Sequence, residues 1–182
     1  MAQARGDAGM SVVERLADLQ YRALDRARHA GAFEVAREAG TATSFASLRG
    51  ARQCLLVTFK RSGEAVPTPV NFGLGGDDRV YFRSEPRSAK VRRIRRDPHV
   101  RVCACNIRGK PTGPMVEGRA RVLAPGESGE AEAAVAGNWS AAMRPLERGL
   151  DLLPIETVYV EVVPVDGRSG ASAAGSSGAT AV

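Results

Sequence analysis

The sequence predicts a mainly β protein, a six-stranded antiparallel barrel with peripheral helices. Three observations carry that expectation. From Gln53 onward, short apolar runs with strand-type alternation are separated by turns rich in glycine, proline and aspartate. Helical patterns interrupt them after the third run and after the fifth, which is not the regular strand–helix alternation of a parallel dinucleotide-binding sheet. Closing so small a sheet into a barrel also removes its exposed edges.

The elements follow in order. Residues 1–10 are small, charged or glycine and are expected to be disordered. Ser11 and Glu14 form a capping-box pattern, and Val12, Leu16, Leu19, Ala23 and Ala27 recur at helical spacing, so Val12 to His29 reads as an amphipathic helix. Gly31 to Ala51 is ambiguous, a short helical or irregular link. Cys54–Phe59 is the first strand, and Lys60–Glu64 turns it into a second, Ala65–Leu74. Pro67 and Pro69 cannot donate to a ladder, which favours an edge or opening there. Gly75–Asp78 turns into Arg79–Arg83. Ser88–Arg96 is a short helix stopped near Asp97-Pro98. His99–Ile107 and Met115–Leu123 flank the polar stretch Arg108–Gly113. In the latter strand Val116, Gly118, Ala120 and Val122 share one face. Glu127–Leu146 reads as a helix carrying Ala133, Val135, Trp139 and Met143, with its last turn shortened or bent by Pro145. Thr157–Val163 closes the set, with Val158, Val160 and Val162 on one face. Residues 11–166 thus form one domain with an N-terminal helical extension, and the Gly/Ser/Ala-rich residues 167–182 a flexible tail.

Composition narrows the function classes. A chain of 182 residues suits one well-buried core. The formal charge of +6 favours an anionic partner, with nucleic acid, an acidic membrane surface and a phosphorylated cofactor all fitting the sign. Cys54, Cys103 and Cys105 with only two histidines make a poor zinc set and no disulfide framework, so reduced structural thiols in a cytoplasmic protein are expected and no metal site. No run is long and apolar enough to predict a transmembrane segment. No G-x-G-x-x-G follows a strand, no Walker-type lysine loop occurs, and the two histidines, His29 and His99, suit no hydrolytic triad.

Three segments could carry chemistry, each with two readings. In Tyr81–Arg96, Ser88 stands at a helix start with Lys90 on its first turn and Arg83 and Ser84 just before. Orphan N–H groups, a hydroxyl, an ammonium and a guanidinium there could hold a phosphate. The other reading is a basic surface helix that Ser88 merely caps. In Val66–Leu74, prolines leave main-chain groups free for a planar, polar-edged ring, or simply protect an edge strand. In Asn106–Gly118, Arg108, Lys110 and Thr112 offer donors, or decorate a solvated hairpin loop. The run Lys90, Arg92, Arg93, Arg95, Arg96 lacks exposed aromatics for base stacking. It therefore suits an anionic cofactor better than nucleic acid.

Taken in order, "LLVTFKRSGEAVPTPVNFGL", "RVYFRSEPRSAKVRRIRRDPHVRVCAC" and "RGKPTGPMVEGRARVL" resemble the pyridoxamine-phosphate-oxidase-like split β-barrel family, best its actinobacterial branch that uses coenzyme F420. The likeness spans roughly Gln53 to Pro164. It implies a split β-barrel and a homodimer with cofactor sites at the interface. Ser88 and Lys90 then fall on the phosphate-holding positions, with Arg83 and Ser84 beside them. Pro69, Val70 and Asn71 fall on the strand against the ring, and Arg108, Lys110 and Thr112 on a loop reaching toward the cofactor. In the F420 branch an acidic tail would match the basic run. Asn71 departs from the aromatic that many members carry there. The implied activity is hydride transfer between reduced deazaflavin and a small electron-poor substrate. No catalytic acid or base is assigned, although Lys110 or solvent could supply a proton. The alternatives are an FMN-dependent oxidoreductase of the same fold, or a non-catalytic F420, flavin or haem carrier.

Overall fold

The structure is a computed structural model that describes residues 30–138 and 156–165. The helix expected over Val12–His29, both expected termini, and the part of the Glu127–Leu146 helix holding Trp139, Met143 and Pro145 lie outside the described residues.

Helix α1 (Ala30–Val35) and a 3-10 turn (Phe45–Leu48) occupy the segment left ambiguous by its sequence. Then come β1 (Gln53–Phe59), β2 (Ala65–Asn71), β3 (Gly73–Leu74), β4 (Val80–Ser84), α2 (Ala89–Arg96), β5 (His99–Cys105), β6 (Val116–Val122), a 3-10 turn (Pro125–Glu127), α3 (Gly129–Gly137) and β7 (Val158–Pro164). One seven-stranded antiparallel sheet runs β2-β1-β5-β6-β7-β4-β3. Its two edge strands are consecutive pieces of a single segment broken at Phe72, so the expected six strands are present. That segment pairs first with β1 and then with β4, which curls the sheet into an open barrel. The fold is a split β-barrel with peripheral helices.

Alternation sorts the side chains as the sequence implies. Cys54, Leu56, Val70, Phe82, Val102, Val116, Ala120, Val160 and Val162 fill the interior. Helix α2 plugs one end, because Val91 and Ile94 are spaced to lie on one helical face and join that interior. Outside, Leu55, Val57, Cys103, Cys105 and Met115 pack under Ala32 and Ala36 beside α1, while Tyr81 and Leu123 pack under Ala131 and Val135 of α3. Cys103 and Cys105 share a buried face as expected, and burial pushes both thiols up to about 12, so they stay protonated. β5 ends two residues before the expected Ile107, because Asn106 turns the chain. Its side-chain oxygen accepts the N–H groups of Arg108 and Lys110, and Gly109 takes a left-handed φ of 76°.

Helix α3 sits very close to the barrel. Gly73 touches the backbone of Ala134 and Val135 with no room for a Cβ. Asn138, following the helix, donates to the carbonyls of Phe72 at 2.8 Å and Ala51 at 3.2 Å. The break between β2 and β3 is therefore held from outside by the end of α3.

Candidate functional site

The opening of the barrel lies between β2 and β4. The β3–β4 register pairs Gly73 with Tyr81 and Leu74 with Val80, and before Phe72 the segment pairs with β1 instead, Asn71 with Gln53 and Val70 with Cys54. β2 and β4 touch, yet no ladder joins them along this stretch. A strand beside such a split would ordinarily leave main-chain donors dangling. Pro67 and Pro69 have none to leave, which bears out their reading as marks of an edge.

Strands β2 and β4, which carry residues of two sequence-predicted groups, border this split, and the loop of the third group folds over the end of β5. On the outer face Asn71 lies beside Gln53, and Gln53 beside Cys105. A bridge ties Cys105 to Pro111 in the loop of Arg108, Lys110 and Thr112. Thr112 N–H returns to the Ala104 carbonyl at 2.8 Å, folding the loop back over the end of β5. Gln53 Nε2 donates to Asn71 Oδ1 at 3.2 Å. Pro69 shares the outward parity of Asn71, whereas Val70 points into the barrel and is buried.

At the other lip, Ser88 caps α2, its hydroxyl oxygen accepting the Val91 N–H at 3.4 Å. The buried Ser84 hydroxyl lies 3.0 Å from that of Ser88. Whichever donates, one hydroxyl proton stays free of the other serine. The first turn of α2 contains no acidic residue, so its positive end is not neutralised from within. Lys90 is half-buried on that turn. Strand alternation sends Arg83 outward and Ser84 inward, so the two reach the opening from different faces.

The basic run divides. Arg93 Nε donates to Thr58 Oγ1 at 2.7 Å, Arg95 to the Pro86 carbonyl at 3.3 Å, and Arg96 to the Phe59 carbonyl. Three of the run's arginines therefore reach the chain's own oxygens; Arg93 is partly buried in doing so, while Arg92, Arg95 and Arg96 stay exposed.

Other polar groupings stand apart from the split. Glu117 accepts from Gly40 N at 2.8 Å and Arg101 Nε at 2.8 Å, and pairs with His99 Nε2 at 2.6 Å. Burial alone would raise its carboxyl, but Gly40, His99 and Arg101 together hold it below its ordinary value. On the α3 side, buried Glu161 accepts from Arg121, Arg79 and Tyr81. A cleft of about 550 Å³ lies between α2 and β6, lined by Arg95, Arg121 and Glu127 among others. None of the sequence-predicted cofactor residues lines it. Gln53, a polar residue at the outward-facing start of an otherwise apolar strand, is tied to Asn71 of the ring-strand group, a link the sequence does not signal.

The sequence profile of pyridoxamine 5'-phosphate oxidase matches residues 41–163, most of the chain. The chain belongs to that family. No curated protein matches it. Among solved structures, a protein of unknown function from Agrobacterium tumefaciens is 23% identical with a TM-score of 0.50, the match covering 71% of this chain and 52% of that one. This chain thus spans about half of that relative's length and shares its fold. A conserved hypothetical protein from Mycobacterium tuberculosis is 18% identical over 98% of this chain and 99% of its own, with a TM-score of 0.46. A FAD-binding protein from Mesorhizobium loti is 21% identical over 65% of this chain and 82% of its own, also with a TM-score of 0.46. Among the described residues no helix is long and apolar enough to cross a membrane.

Proposed function

We propose that this member of the pyridoxamine 5'-phosphate oxidase family is an FMN-dependent oxidoreductase, with the flavin phosphate at the start of α2 and the ring along β2. The observation that carries the reading is the start of α2 beside the split, with no acidic residue in its first turn and the Ser84–Ser88 hydroxyl pair at its cap. The donor set fits a compact dianion. Ser88 and the first-turn N–H groups would receive the phosphate, Ser84 would orient Ser88, and Lys90 and Arg83 would supply charge. Pro69 and Asn71 would set the face and depth of the ring, and the Arg108–Thr112 loop would cover its far side from water. FMN supplies the hydride chemistry when bound. The chain's part is to fix ring, face and distance for a small electron-poor substrate, with no catalytic side chain assigned.

The Ser84–Ser88 hydroxyl pair and the first turn of α2 suit the single terminal phosphate of FMN, which supports that choice. The surplus charge of +6 favours F420 as the second reading. Each site is completed by a second copy of the chain in this proposal, and sedimentation analysis gives the dimer mass if so. Separate titrations with FMN and F420 at low and high salt decide the cofactor. Tighter FMN binding, weakened by Lys90→Ala, is the expected result. Tighter F420 binding with the steeper salt dependence would reverse the choice. A bound cofactor whose reduced form passes hydride to no enone, quinone or tetrapyrrole would mark a carrier.

A further inference from the structure

The cleft between α2 and β6, about 550 Å³ in volume, shares no residue with the split. That volume is in the range that takes a small organic molecule. Its base is apolar, built from the nearly buried Ile94, Ala120 and Leu123. Above that base Pro98 and Val122 are partly exposed, and Ala124 is exposed at one end, so apolar surface is open to a ligand. Ala120 and Ala124 carry single methyl groups, which keeps the hollow from filling.

Two guanidiniums line the same cleft. Arg121 is fixed in place, its Nε donating to Glu161 Oε1 at 2.7 Å and its Nη1 to Glu127 Oε2 at 3.0 Å. Its Nη2 donates to nothing among the described residues. Arg95 is exposed and makes one contact, from Nη1 to the Pro86 carbonyl at 3.3 Å. Glu161 and Glu127 offset two of the three guanidiniums of Arg79, Arg121 and Arg95. One positive charge is left over at the rim. A single carboxylate balances it, whereas a dianion would exceed it and meet Glu127 on the same wall.

We propose that this cleft is a ligand site of its own, taking a small amphipathic monocarboxylate. The head lies on Arg95 and Arg121, whose guanidiniums offer the flat N–H geometry that a carboxylate accepts. The apolar body lies along Pro98, Val122 and Ala124, and its removal from water contributes the rest of the binding. The flavin reading is not needed for this, and either can fail without the other.

The test is an NMR titration of the ¹⁵N-labelled, flavin-free protein with octanoate, 1-octanol and inorganic phosphate. Octanoate should bind with a Kd of about 1 mM or below, shifting the amides of Ile94, Arg95 and Ala120 to Ala124. Octanol and phosphate should each bind at least about tenfold more weakly, one lacking the charge and the other the apolar body. Arg95→Gln should weaken octanoate roughly threefold to fivefold, the loss expected at an exposed charge contact, with thermal unfolding unchanged. Ala124→Trp, at an exposed position, should block the cleft and abolish octanoate binding. Octanol or phosphate binding as tightly as octanoate, or octanoate binding that Arg95→Gln leaves untouched, overturns the carboxylate assignment. Shifts confined to other elements, no saturation, or undiminished binding by a folded Ala124→Trp overturns the site itself. The three wild-type titrations decide the matter even if a variant fails to fold.

Discussion

Replacing Glu161 by Gln tests whether the wall that carries Arg83 and Ser84 is held by buried charge. Glu161 is 6% exposed on β7 and faces Arg121 Nε at 2.7 Å from β6, Arg79 Nη1 at 2.9 Å and Tyr81 OH at 3.2 Å. Burial alone would raise its carboxyl. The bond and charge of Arg121, and then those of Arg79, outweigh burial and hold it below 4.5. The amide keeps the shape but turns an N–H₂ toward an arginine donor, removes the carboxylate that Arg79 faces and leaves Arg121 with only its outer partner Glu127 at 3.0 Å. Truncating a fully buried pair costs roughly 3–5 kcal/mol and a surface pair roughly 0.2–1. Since both arginines are partly exposed, with side chains 37% and 51% accessible, an intermediate loss of about 2 kcal/mol is expected. Urea unfolding at pH 7 measures it, and thermal unfolding should shift by roughly 4–8 °C. The sign with pH is fixed. A carboxyl whose folded pKa is depressed contributes fully above its ordinary value of 4.5, and that contribution disappears as pH falls through the folded pKa. The gap between wild type and Glu161→Gln should therefore close on acidification below that value. A gap under about 0.5 kcal/mol at pH 7, or one that persists unchanged in acid, would refute the reasoning.

Further outcomes follow from the same geometry. Gly73→Ala forces a Cβ into the backbone of α3 and should cost about 1–3 kcal/mol, whereas Gly126→Ala, with nothing within 4 Å of its Cβ, should change stability little or raise it, both read by urea unfolding. Ile94→Ala removes part of the plug that α2 drives into the barrel and should cost about 2–5 kcal/mol, seen as a lower urea midpoint with near-native circular dichroism. Glu117→Gln should speed hydrogen exchange at the Gly40 amide, which Glu117 accepts, and wild type should reproduce that speeding only as pH drops below 4.5, because this carboxyl is also depressed.

Most of the barrel was legible because alternation and turns are local. Val158, Val160 and Val162, or Val116 and Ala120, declare an inward face within one strand. The break at Phe72 was not legible. Val66 to Leu74 reads as continuous strand, and what divides it is the backbone of α3 pressing on Gly73, a contact made from over fifty residues away. Ser88 as a helix cap and Pro67 and Pro69 as edge markers were readable for the same local reason. That β1 takes up Ala65–Asn71 while β4 takes up Gly73–Leu74 depends on pairings that no single segment encodes. The hydrogen bond from Gln53 to Asn71 was not legible either, since it arises only when β2 lies alongside β1. The periodicity of the basic run showed a charged face but not that Thr58, Phe59 and Pro86 would accept hydrogen bonds from three of its arginines.

A crystal structure of the protein grown with FMN is the most direct trial of the cofactor site. Phosphate oxygens within hydrogen-bonding distance of Ser88 and Lys90, with the ring lying along Pro69 and Asn71, is the predicted arrangement. Phosphate held instead in the cleft of Arg95 and Arg121, with the split between β2 and β4 closed on itself, would contradict it.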